Sequence, residues 1–147
     1  MNLSELMVDT KSAWVEYPAF SGFEIELVNL SRPELTALRK RCVTTKFDKK
    51  TRQPVEELNE EKFIEEFTKA TIKNWKGFKL KFLESFMLVD LSNVDADAEL
   101  PYSAENAKLL VTNSSEFDTW VNEVIFDLDN FRTGTKRKTV EAAGKVE

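Results

Sequence analysis

The run Ser115–Phe131, SEFDTWVNEVIFDLDNF, constrains this chain most. Its apolar residues Phe117, Trp120, Val121, Val124, Ile125, Leu128 and Phe131 recur at the i, i+3, i+4, i+7, i+8, i+11 spacing of one helical face. Ser115 is the predicted N-cap, Asp118 completes a capping box, and Asn130 or Gly134 ends the helix. Each large side chain on that face contributes roughly 1.5–3 kcal/mol when fully buried. The face therefore needs apolar partners from the rest of the chain, and these seven residues are assigned to the core.

The other segments read as follows. Residues 1–12 are expected to form a mobile arm with one turn of helix at Leu3–Val8. Trp14, Val15 and Tyr17, then Phe23, Ile25 and Leu27 alternating with Glu24 and Glu26, predict a β-hairpin turning at Ser21-Gly22. Ser31-Arg32-Pro33-Glu34 opens a helix with a capping box, which carries Leu35, Leu38 and Cys42 inward. Thr44–Leu58 is polar and contains Pro54, so it reads as a loop, with a charged turn or short hairpin at Lys46–Thr51 and Phe47 docked on the core. Asn59 caps a long helix that places Phe63, Ile64, Phe67, Ala70, Thr71, Asn74 and Trp75 on one side and ends at Gly77. Phe63 and Phe67 join the core assignment. A short helix over Lys79–Met87, with a strand as the alternative, an acidic linker and a helix capped by Ser103 follow. The predicted fold is mainly α, about five helices with a small N-terminal β-hairpin, in one domain over residues 13–131; residues 132–147 read as a disordered basic tail.

Charge and composition narrow the function. Arg132–Glu147 holds five cations and two anions, a net +3, and with −5 overall Met1–Phe131 carries −8. An acidic body with a basic tail suits a protein partner better than nucleic acid. No apolar run approaches the ~20 residues of a membrane span. The start MNLSELMVDT lacks the pattern of a signal peptide, so the host-cell cytoplasm is the expected location. Histidine is absent and Cys42 is the lone cysteine, which removes the commonest general base and metal ligands. Asp90, Asp95, Asp97 and Glu99 lack the central glycine of a calcium loop. No catalytic, cofactor-binding or metal-binding residue is assigned, no cofactor is expected, and an enzyme is not. The assigned partner-binding residues are Trp14, Phe47, Lys49, Arg52 and Trp75, basic or aromatic groups with room for an interface role.

Three blocks carry a family resemblance: Thr44–Leu58, TTKFDKKTRQPVEEL; Trp75-Lys76-Gly77 with Leu100–Asn106, LPYSAEN; and Phe117–Val121 with Asp127–Arg132, DLDNFR. In this order they resemble the tail assembly chaperones of long, flexible-tailed bacteriophages and prophages. The resemblance implies a small helical protein made in the infected host and absent from the finished virion. It implies binding to the tape measure protein, and to tail tube protein through a frameshifted C-terminal extension. Self-association is left open. The alternative is a structural minor tail or head–tail joining protein retained in the virion.

Overall fold

A computed structural model describes residues 1–8 and 11–132. The chain is a mixed α/β protein, which corrects the mainly α expectation: the described residues hold five strands in two sheets. Strands β1 (Ser12–Glu16), β2 (Glu24–Val28) and β5 (Ile72–Lys76) form an antiparallel sheet in the order β1-β2-β5. Strands β3 (Val43–Asp48) and β4 (Gln53–Leu58) form a separate hairpin. The helices are α1 (Leu3–Leu6), α2 (Arg32–Arg41), α3 (Glu60–Thr71), α4 (Ala104–Asn113) and α5 (Ser115–Ile125), with 3₁₀ segments at Leu80–Ser85 and Leu128–Phe131.

The first hairpin follows from its alternation. Ala13, Val15, Phe23, Ile25 and Leu27 are buried, while Trp14, Glu16, Glu24 and Glu26 face the other way. Gly22, at φ +89°, allows the turn, and its N–H donates to Glu16 Oε2 at 2.7 Å.

The third strand is where the sequence misleads. The predicted helix from Asn59 to Lys76 stops at Thr71, and Ile72–Lys76 pairs with β2. The Ile72 N–H still closes the last helical turn onto Thr68 O, and the next residues continue directly in the sheet. A register shift between Glu26 and Leu27 pairs Leu27 with Ile72 and Ile25 with Trp75. That bulge puts both Ile72 and Trp75 on the core face, where period-2 alternation alone would oppose them.

The predicted loop at Thr44–Leu58 is a full hairpin, with Val43 paired to Leu58 and Asp48 to Gln53. Both its strands are edges, so Pro54 is tolerated opposite Phe47. Phe47 does not dock on the core; it is 65% exposed. The 3₁₀ segment Leu80–Ser85 replaces the helix predicted at Lys79–Met87.

The main core lies between the inner face of the three-stranded sheet and α4, α5 and the segment Phe78–Met87, built on Phe23, Phe78, Phe86 and Phe117. A second cluster of Leu30, Leu38 and Cys42 gathers Leu35, Leu58 and Phe63, and Phe67 touches both clusters. In α5 the N-cap is Ser114, not Ser115: its hydroxyl accepts from the Phe117 N–H at 3.2 Å. The helix ends at Ile125, because Asp127 and Asn130 restart the chain as a 3₁₀ turn: Asp127 Oδ1 accepts from Asp129 N and Asn130 Nδ2 donates to Val124 O. The helical phase is lost there, so Leu128, expected in the core, is exposed, while Phe131 returns to it. Phe117, Val121, Val124 and Ile125 are buried; Phe63, Phe67 and Trp120 are half-buried. Leu3, Leu6, Met7 and Val8 of the N-terminal arm are exposed. The tail assignment, apart from Arg132, lies outside the described residues.

Candidate functional site

Four helices meet around a groove of about 340 Å³. Leu35 and Arg39 come from α2, Phe63, Ile64, Phe67 and Thr68 from α3, Val111 from α4, and Asp118 and Asn122 from α5, with Phe126 just beyond it. Local chemistry sets three of these elements. Ser31 and Glu34 cap α2 reciprocally, Asn59 Oδ1 accepts from the Lys62 N–H at 3.1 Å to start α3, and Ser114 starts α5.

The walls are apolar and the rim is charged. The Arg39 guanidinium lies 5.2 Å from the Phe63 ring centroid, so the cation is held over an aromatic face. Asp118 stands across the groove on α5; partial burial raises its carboxyl pKa, opposed by the Asn122 side-chain amide that donates to it. Thr68 is 2% exposed and its hydroxyl has no hydrogen-bond partner. An unmet hydroxyl beside an open groove is a polar group that a ligand can satisfy. Phe126 is 48% exposed at the rim. The arrangement has the chemistry of a receptor for an amphipathic segment: aromatic and aliphatic walls, one cation and one carboxylate.

Of the residues assigned from sequence, Phe47, Lys49 and Arg52 share the β3–β4 hairpin, whereas Trp14 and Trp75 lie in the three-stranded sheet. Trp75 is 5% exposed, its indole N–H donates to Leu100 O at 2.9 Å, and the rings of Phe78 and Tyr102 pack on it, so it is a core residue and not a partner contact. Trp14 lies on the outer face of the sheet, with Lys76 Nζ 4.7 Å from its ring centroid. Phe47, Lys49 and Arg52 sit on the projecting β3–β4 hairpin. Arg52 there adopts φ +59° and its N–H closes the turn onto Asp48 O at 2.7 Å. The acidic segment is held by local bonds: Asp97 pairs with Lys81 at 2.9 Å, and Asp90 accepts from Ser92. Among the described residues no group of three or more His, Cys, Asp or Glu could hold a metal.

Ile64 and Phe126 are groove residues that no sequence motif marks. The one signal is position: Phe126 falls off the apolar stripe of the Ser115–Phe131 run, next to Ile125, which lies on it. An apolar side chain off the packed face is a candidate contact.

Fold and groove together define a small α/β protein with an open, aromatic-walled groove. A family model described as YdaY prophage protein matches residues 32–145, and the chain belongs to that family. It is a prophage protein. The matched span starts at α2, so β1 and β2 precede it, although β5 within the span pairs with β2. No curated protein and no solved structure matches the chain. Among the described residues no helix is long and apolar enough to cross a membrane.

Proposed function

We propose that this prophage protein is a non-catalytic tail assembly chaperone. It works in the host cytoplasm and holds a helical segment of the tape measure protein in the groove between α2, α3, α4 and α5. The observation that carries this reading is the groove itself, an apolar trough walled by Phe63, Ile64, Phe67, Val111 and Phe126 and flanked by Arg39 and Asp118. Amphipathic helices dock in such troughs through anchors at i, i+3 and i+4, and charges at the rim set their direction. A tape measure protein is long and helical and exposes such faces until tube subunits surround it. The sequence resemblance to tail assembly chaperones points to the same partner. Tail tube protein is the second proposed partner; nucleic acid and membrane are not partners in this reading.

Co-expression tests it. With this chain present, the tape measure protein of the same prophage should move into the soluble fraction and co-purify with it. Equal insolubility with and without the chain would refute the proposal. Recovery of the chain in stoichiometric amounts from purified particles would favour a structural tail or joining protein instead.

A further inference from the structure

Two further surfaces on this chain complement each other. The first is the β3–β4 arm. From Thr44 to Glu57 every residue is exposed except Asp48, and only Val43 and Leu58 at the base are partly covered. An isolated two-stranded hairpin is marginal in water, yet this one presents Phe47 and Pro54 side by side near its tip. Lys49, Lys50 and Arg52 occupy the turn that joins the two strands, and all three are exposed. The acids on the arm are engaged locally or set back. Glu57 pairs with Lys46 at 2.8 Å, Asp48 Oδ1 accepts from the Lys50 N–H, and Glu56 stands opposite Thr45 toward the base.

The second is a cleft of about 470 Å³ between the β1–β2 turn and α5. Tyr17, Pro18, Ala19 and Trp120 make its apolar part, and the Tyr17 and Trp120 rings meet edge to face at 4.8 Å between centroids. Glu123 lines it as well, as does Glu116, whose Oε2 accepts from the Tyr17 hydroxyl and whose charge remains; no lysine or arginine lines it. An aromatic tip ringed by cations thus has its counterpart, an aromatic cleft edged by carboxylates, on the same molecule.

We propose that the chain self-assembles head to tail, the hairpin tip of one copy entering the Tyr17–Trp120 cleft of the next. The two surfaces differ, so the contact is heterologous and generates a ring or an open chain of copies rather than a two-fold dimer. Phe47 supplies the apolar anchor, and Lys49 and Arg52 meet Glu123 and Glu116. This contact involves neither the groove nor any other protein, so it stands or falls separately from the chaperone reading.

Sedimentation velocity on the full chain at low ionic strength tests it, where unscreened charges act at their longest range. The wild type should sediment as species larger than the 16.9 kDa monomer. Lys49→Glu/Arg52→Glu, which makes the tip acidic, should sediment as monomer. So should Thr119→Lys/Glu123→Lys, which makes the cleft basic. All four positions are exposed, and unchanged melting temperatures establish that both variants fold. An equimolar mixture of the two variants should regain the large species, because each tip then faces a cleft of opposite charge. A monomeric wild type, variants that assemble like the wild type, or a folded mixture that stays monomeric would each overturn the proposal.

Discussion

The Tyr17 hydroxyl donates a hydrogen bond to Glu116 Oε2 at 2.9 Å, tying the end of β1 to the first turn of α5 across most of the chain length. The ring below that hydroxyl touches Phe20, Phe23, Phe86, Phe117 and Trp120. One residue therefore couples the first hairpin, the 3₁₀ region and α5. Burial pushes the Tyr17 phenol pKa well above its usual value near 10, and the Glu116 carboxylate adds to the shift. The neutral phenol is the form favoured by the fold. Its contribution is complete below about pH 10 and declines as pH rises toward the folded-state pKa. The urea midpoint should fall between pH 9 and pH 11, and Tyr17→Phe should lessen that fall. An identical fall in both proteins would remove Tyr17 as its source.

The α5 face is graded. Phe117 is fully buried, whereas Trp120 is half-buried beside Tyr17. Phe117→Ala should cost roughly 3–5 kcal/mol, the range for large aromatic truncations in a core. Trp120→Ala should cost clearly less, since part of that ring already meets solvent. Urea denaturation of both variants measures the difference, and equal losses would contradict the placement.

Gly77 and Gly22 form a close backbone crossing. Both have positive φ, and a Cβ on Gly77 would collide with the Gly22 carbonyl, while a Cβ on Gly22 would meet open space. Gly22→Ala should cost roughly 1–2 kcal/mol, the left-handed penalty alone. Gly77→Ala should exceed it, because backbone must also shift. Thermal melts of the pair check the order.

The β3–β4 arm adds little to the stability of the body. Replacing Thr45–Glu56 with a short turn, keeping Val43 and Leu58, should leave the melting temperature of the remainder unchanged, because both apolar clusters lie outside the replaced residues. A drop of several degrees would show that the arm packs on the body.

Features set by local chemistry were legible in the sequence. Ser31 with Glu34, Asn59 and Ser103 cap the helices expected of them, and the period-2 run after Trp14 forms a hairpin. The errors arise where tertiary pairing overrides local pattern. Asn74 and Trp75 sit at helical spacing from Phe67 and Ala70, and only the free edge of β2 draws Ile72–Lys76 into the sheet. The β3–β4 strands bury neither face, so they carry no alternation to read. Of the candidate groove, Leu35, Phe63, Ile64 and Phe67 are legible as apolar positions of α2 and α3. Arg39 and Phe126 are not, because they join the groove only when α2, α3 and α5 pack together.

Calorimetric titration of the tape measure protein's helical segments into the purified chain tests the chaperone reading most directly. The comparison is the wild type against Ile64→Lys/Phe126→Lys, a pair that places two cations on the groove wall. The wild type should bind with the negative heat-capacity change of apolar burial, and the folded variant should bind at least about tenfold more weakly. Equal affinity of the two proteins would take the site away from the groove, and absence of binding by the wild type to any segment would contradict the chaperone reading itself.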